Sequence, residues 1–208
     1  MKIGLILECA PEGPDQQVYS AWIRRLLPGA QVEASCAVNK KRLVAEAGRR
    51  AAALFGEGCR RVLIIWDLWP AWRSKGAKPD VAADIAAIET SLKAEGVVNP
   101  CVYLVCVDRM LETLLIVDAD AIKSVLKVQG PVAGLRHHRN PRSEHAPKSY
   151  LDARFRAAQR GPYTPHVHAR QIADCIGFAR LRRACPEFVR LETAAVQQPC
   201  SPPLAWQP

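Results

Sequence analysis

The chain has 208 residues, 49% of them apolar and 24% charged, with 16 prolines, few aromatics and a formal charge of +9. That length suits one domain, or one domain with a small appendage, and an apolar half excludes global disorder. No apolar run approaches the ~18 residues of a membrane span, and the eight cysteines show neither a CxxC pair nor a Cys/His spacing of zinc type, so the composition predicts a cytoplasmic protein without zinc or a disulfide framework.

Strand-like and helix-like patterns alternate along the first half. Residues 2–8 (KIGLILE) form a short apolar run ended by Glu8, read as a first strand and not as a signal peptide. Residues 15–27 place Val18, Trp22, Ile23 and Leu26 on one helical face, and Pro28-Gly29 stops that helix. Residues 31–36 (QVEASC) read as a weak strand. Residues 40–56 read as a helix with Leu43, Val44, Ala47, Ala51 and Leu54 along one side. Residues 61–66 (RVLIIW) are a continuous β-branched strand ended by Asp67, followed by a Trp/Pro/Gly loop. A helix opens at Pro79 and closes at Gly96, and the next buried strand, 101–107 (CVYLVCV), ends at Asp108.

Strands without polar alternation, separated by helices, predict an α/β fold with a mostly parallel sheet covered on both faces. Right-handed crossovers bring the carboxyl ends of the strands to one edge, where open α/β sheets bind ligands. After Asp118 the character changes. Residues 119–129 read as one more helix, 130–149 as a long Gly/Pro/His/Arg loop, and 148–192 as helical with breaks near Gly161-Pro162 and Pro186. The expected division is a core over 1–129, a basic loop and helical extension over 130–194, and a Pro-rich tail over 195–208.

Charge is uneven. Residues 130–190 hold 12 Lys/Arg against 4 Asp/Glu, and the first 129 residues hold 17 against 15. A basic third beside a nearly neutral core points to a polyanion, of which nucleic acid is the commonest; the alternative is a solvated basic face.

Three strands end in a carboxylate, Glu8, Asp67 and Asp108. Gathered on one edge they would raise each other's pKa unless a cation sat among them. An all-oxygen set of this kind suits Mg²⁺ or Mn²⁺. Glu112, in the first turn after the third strand, can face the same edge. Glu12 and Asp15 follow the first strand, and Asp15 serves equally well as a helix cap. Asp118 and Asp120 are read as caps for the next helix. Lys40 and Lys41 can contact phosphate or simply be solvated.

The histidines do not form a metal set. His166 and His168 would diverge by ~200° in a helix, and His137 and His138 sit in an Arg-rich loop suited to phosphate contact or plain exposure. Nothing matches a Walker phosphate loop or a Gly-x-Ser-x-Gly elbow, which excludes the usual signatures of ATP hydrolysis and acyl transfer. Trp69 and Trp72 can stack on bases or pack their loop, while Tyr163 and Phe188 fall in the C-terminal helical region.

The stretches IGLILECAPEGPD, NKKRL, VLIIWDLWP, CVDRMLETLLIVDADAI, PKSYLDARF, GPYTPHVHARQIA and CPEF, in that order, resemble a family of short Toprim-like bacterial proteins related to the overcoming-lysogenization-defect nucleases. The resemblance implies a Toprim-like fold and a metal-dependent nuclease, with a role in phage defence beside a partner ATPase. It implies that Glu8 is a metal ligand or general base, that Asp67 is the first aspartate of an Asp-x-Asp motif, and that Glu112 is the glutamate of the third junction. Lys148 corresponds to a late lysine that neutralises charge on a phosphate, and Arg136, Arg139, Arg142 and Arg154 would bind flanking phosphates. The sequence departs from the pattern at Cys9, at Trp69, where the second aspartate would stand, and at Glu112-Thr-Leu, which lacks the usual tryptophan. Those departures open the alternative of a degenerate subunit that binds nucleic acid or a partner without cleaving.

Overall fold

Four short runs build one sheet, and helices cover both of its faces. The computed structural model describes residues 1–71 and 78–197; Trp72 and the tail beyond 197 lie outside the described residues. The strands are β1 (Lys2–Leu7), β2 (Gln31–Cys36), β3 (Arg61–Asp67) and β4 (Val102–Val107). All pair in parallel, in the order β2-β1-β3-β4. The α/β class expected from the sequence is what the structure contains. β1 and β3 are central and almost wholly buried, which is why their sequences are unbroken apolar runs. β2 lies at an edge and leaves Gln31 and Glu33 exposed, so its signal was weak.

The crossovers are α1 (Pro14–Leu26), α2 (Lys40–Gly56) and α3 (Val81–Ala94). Local chemistry fixes where each begins. Pro14 stands at the start of α1, Asn39 accepts from the Arg42 N–H at 3.0 Å, and Asp80 accepts from the Ala83 N–H at 3.0 Å. α2 and α3 share one core with Ile6, Val62, Ile64 and Trp66. α1 shares the other with Leu5, Leu7, Leu63 and Ile65.

Beyond β4 come α4 (Leu111–Leu115), α5 (Ala119–Leu126), a 3₁₀ turn (Pro141–Ser143), α6 (Pro147–Ala157), α7 (Pro165–Cys175), α8 (Phe178–Ala184) and α9 (Pro186–Val196). The helix expected over 119–129 stops at Leu126, because Lys127 takes a left-handed conformation (φ 52°) and closes the last turn. A break at Ile176-Gly177 separates α7 from α8, where a continuous helix was expected. Leu151, Phe155, Ile172, Phe188 and Leu191 enter the same core as α1 and the sheet, so the helices after 147 share that core. No helix among the described residues is long and apolar enough to cross a membrane.

Three arginines tie this arrangement together by donating to helix C-terminal carbonyls. Arg25 reaches Ala173 (2.8 Å) and Ile176 (3.0 Å) at the end of α7. Buried Arg61 reaches Ala194 and Ala195 (2.6 Å each) and Gln197 (2.7 Å) at the end of α9. Arg160 reaches Leu126 (2.8 Å) and Lys127 (3.2 Å) at the end of α5. A cation at a helix C-terminus complements both the orphan carbonyls and the macrodipole, so part of the basic excess is structural. Cys9, Cys36, Cys59, Cys106, Cys175 and Cys185 are free thiols. Cys101 is disulfide-bonded, which corrects the expectation of a chain without disulfides.

The contact between α2 and α3 depends on a missing side chain. The Gly48 N–H donates to Ser91 Oγ at 3.0 Å, and Ser91 Oγ donates to the Ala45 carbonyl at 3.0 Å. A Cβ at position 48 would lie 2.0 Å from the Ser91 carbonyl oxygen. Alanine is favoured over glycine in a helix by ~1 kcal/mol, yet Gly48→Ala should destabilise the protein by roughly 1–3 kcal/mol through overpacking. Urea denaturation should show a lower midpoint for this variant; an unchanged or higher midpoint contradicts the close approach.

Candidate active site

In a sheet ordered β2-β1-β3-β4 the chain reverses its direction of travel between β1 and β3, and the crevice beyond the carboxyl ends of those two strands is where such sheets bind ligands. Glu8 directly follows β1, and Asp67 ends β3. They meet there, with the Asp67 N–H donating to Glu8 Oε2 at 3.3 Å. The turn after β1 closes with the Gly13 N–H donating to the Ala10 carbonyl at 3.0 Å. Position 13 admits only glycine without a shift, since a Cβ would lie 2.8 Å from that carbonyl oxygen. This turn delivers Asp15 in the first turn of α1, and α4 delivers Glu112 in its own first turn.

The four carboxyls feel one another. Burial is the leading cause of a raised pKa in each of Glu8, Asp15, Asp67 and Glu112. Asp67 is raised further by the charges of Asp15, Glu8 and Glu112. Asp15 also raises Glu8 and Glu112. Glu8 reaches about 7, with Lys40 and the backbone of Asp67 opposing the rise. Glu8, Asp15 and Asp67 keep part of their surface open to solvent, so the crevice is crowded but reachable. Carboxyls displaced in this way mark a site where a proton or a cation must accompany the charge.

Lys148 is exposed in the first turn of α6 and lies close enough to Glu112 to lower its pKa. Tyr163 stands against Glu112, and Tyr19 lies in the field of Asp67, Asp15 and Glu112. The Tyr19 hydroxyl is buried without a hydrogen-bond partner, and the Tyr163 hydroxyl is buried against Glu112. The two tyrosines are the part of the site that sequence reasoning missed. Tyr19 reads as a core aromatic of α1, and Tyr163 reads only as an aromatic of the stretch GPYTPHVHARQIA, with nothing there to tie it to the acids. Behind Glu8, the Cys9 and Cys36 sulfurs lie 3.7 Å apart and Cys36 Sγ donates to Gln16 Oε1 at 3.3 Å.

Several expectations need correction. Asp108 does not join the acids. It lies just beyond β4 in a small pocket with Leu68, Val81 and Cys106, and its carboxylate meets Arg142 at 3.9 Å. Lys40 is no phosphate contact, because it is 3% exposed. Its ammonium is bound to the carbonyls of Leu68 (2.7 Å) and Pro70 (3.1 Å) and paired with buried Asp84 at 3.4 Å. Arg142 is committed to Glu187 at 2.7 Å. Arg154 donates to the Ala133 carbonyl at 2.5 Å and stacks on Tyr150, filling the space a side chain at Gly134 would need. Lys41, Arg136 and Arg139 are exposed. Glu12 is exposed in the turn, and Phe188 is buried in the core. Trp69 is half exposed, with its backbone bonded to Arg109 and the Arg109 guanidinium over its ring. His166 is exposed, while His168 packs on Phe155 and accepts from the Thr164 N–H at 2.9 Å.

A different trio could hold a metal ion. Asp118, Asp120 and His137 each offer a ligand atom, all within 4.8 Å of one another, the single group of that spacing among the described residues. Asp118 is also the cap of α5, accepting from the Asp120 and Ala121 N–H groups. His137 Nδ1 accepts from the Ala119 N–H at 3.1 Å and faces the Arg180 guanidinium at 2.6 Å, which leaves Nε2 protonated and turned to Asp120 at 3.5 Å. Arg180 also pairs with Asp118 at 3.4 Å. A cation here would have to displace a guanidinium that already balances the charge.

The raised carboxyls give a pH dependence of defined sign. A carboxyl whose pKa is higher folded than unfolded binds more protons in the native state, so stability falls as pH rises through the interval between the two values. For Glu8 that interval runs from the ordinary 4.5 to about 7, and its cost is on the order of 3 kcal/mol at most, less whatever solvent screens. Metal-free protein should therefore unfold at a lower temperature at pH 8 than at pH 5. Glu8→Gln should flatten that slope and raise the melting temperature at pH 8. A Glu8→Gln profile parallel to the wild type would remove the crowding from the account.

No curated protein and no solved structure matches the chain. The model of the family described as "Domain of unknown function (DUF4276)" matches residues 22–194, a span that runs from α1 through α9 and includes Asp67 and Glu112, and the chain belongs to that family.

Proposed function

We propose that the chain hydrolyses phosphodiester bonds of nucleic acid with Mg²⁺ or Mn²⁺ held at the acidic crevice. One observation carries the reading: Glu8, Asp15, Asp67 and Glu112 come from four places in the chain to one partly buried crevice at the β1/β3 switch point, where Asp15 raises the pKa of the other three. The residues fit such an ion. The donor set is oxygen only, Mg²⁺ needs no more than one or two carboxylates beside its waters, and the buried Tyr19 hydroxyl there lacks a partner.

When bound, the cation would stabilise the attacking and leaving oxygens of the phosphodiester. Asp67 and Glu112 serve to hold it. Glu8, with a pKa of about 7, is poised to take a proton from the attacking water. Lys148 meets the phosphate beside Glu112, and exposed Lys41 and Arg136 bind the strand to either side. The Toprim-like resemblance supports the same chemistry and suggests a cytoplasmic role in phage defence beside a partner ATPase, by analogy of family.

A second reading rests on specific observations. Trp69 stands where a second aspartate is expected, and no three carboxylates of the crevice offer oxygens all within 4.8 Å of one another. Both favour a subunit that binds nucleic acid without cutting it.

Incubation with single- and double-stranded DNA and RNA, with EDTA, Mg²⁺ or Mn²⁺, separates the two. Hydrolysis is expected only with the metals, and Asp67→Asn or Glu112→Gln should lower it at least 100-fold, the scale of lost transition-state charge stabilisation. Metal-independent cleavage, or cleavage untouched in both variants, would overturn the assignment. Binding without cleavage would favour the second reading.

A further inference from the structure

Most arginines of the basic stretch are committed to protein partners. Arg142 pairs with Glu187, Arg156 with Asp152, Arg170 with Asp174 and Arg182 with Glu192. Arg154 and Arg160 are bound to backbone carbonyls. Arg139 and Arg183 are different, since neither has a hydrogen bond or ion pair with any described residue. Both line one open cavity of about 760 Å³, together with Arg180, His137 and His138. Two unpaired guanidiniums are therefore gathered at this cavity beside Arg180.

The cavity has the parts of an anion site. Its ionisable lining is three guanidiniums and two imidazoles with no carboxylate, and Asp118 sits behind Arg180, holding it at 3.4 Å. His138 is 6% exposed, its ring fixed edge-on against Tyr150 at 4.7 Å, and its Nε2 is buried with no partner. His137 is anchored by the Ala119 N–H at the start of α5. Planar guanidiniums bind phosphate oxygens in pairs, and a volume near 760 Å³ falls within the ~300–1,000 Å³ range of small-molecule sites.

We propose that this cavity binds a phosphate-bearing ligand of nucleotide size. Arg139 and Arg183 grip the phosphate, and Arg180, held by Asp118, fixes the wall between them. The ligand is a free nucleotide or the phosphorylated end of a nucleic-acid strand, which present the same group. The proposal does not need the acidic crevice to be catalytic.

Calorimetric titration of the full chain with inorganic pyrophosphate, in EDTA at low salt, tests it without metal-bridged binding at the crevice. Saturable binding is expected, weakened at least tenfold in Arg139→Ala/Arg183→Ala. That variant should melt like the wild type, because neither side chain has a partner to lose. Asp67→Asn, which disables the crevice, should bind pyrophosphate as the wild type does. Absence of saturable binding, equal affinity in the double variant, or loss in Asp67→Asn alone would each overturn the proposal. Competition by ADP and by a dinucleotide with and without a 5′-phosphate then identifies the source: stronger competition by ADP supports the free nucleotide, and competition that requires the 5′-phosphate supports the strand end.

Discussion

Four carboxyls crowded at the mouth of a parallel sheet are costly to keep, and the rest of the structure is arranged around that cost. Their backbone supports come from parts of the chain far apart in sequence: the ends of β1 and β3 and the first turns of α1 and α4. Apolar burial of both central strands forces these ends together, so the repulsion cannot relax by local movement alone. Protons taken up near neutral pH relieve it in part, as the rise of Glu8 to about 7 indicates. A cation would relieve it more fully, and the protein would then gain stability in the same step that completes the site.

Charge elsewhere is used in two distinct ways. Arg25, Arg61 and Arg160 bind the C-terminal ends of α7, α9 and α5 to α1, to β3 and to the turn after α6, so they belong to the fold. Arg139 and Arg183 have no such duty. The formal charge of +9 therefore overstates what a polyanion would meet, and its location says more than its size. Lys40 makes the same point from the other side. A lysine beside an acidic crevice invites a phosphate-binding role, yet the carbonyls of Leu68 and Pro70 and the carboxylate of Asp84 enclose its ammonium. It holds the loop after β3 in place and tempers Glu8 electrostatically.

Much of the fold was legible because period and punctuation agree with it. RVLIIW can only be a strand buried on both faces, and Pro14, Asn39 and Asp80 mark helix starts by local chemistry. The convergence of Glu8, Asp67 and Glu112 on one edge followed from parallel topology, and Asp15 followed from its place after β1. Asp108 was misjudged because a strand end fixes the edge but not the partner, and Arg142, brought in by the later chain, takes its carboxylate. Tyr19 and Tyr163 were invisible as site residues, since their position depends on α1 and α7 packing together across about 150 residues of chain, a separation also spanned by the Trp22–Ala173 hydrogen bond. The cavity at Arg139 and Arg183 needed the same long-range information.

The central claim is that the acidic crevice holds protons at neutral pH which a divalent cation replaces. Calorimetric titration with Mn²⁺ at pH 7, in buffers of differing ionisation enthalpy, measures those protons directly. The account predicts saturable binding with a fraction of a proton or more released per ion, less release at pH 8.5, and a smaller release at pH 7 in Glu8→Gln. Binding without proton release at pH 7, or no binding at all, would contradict it.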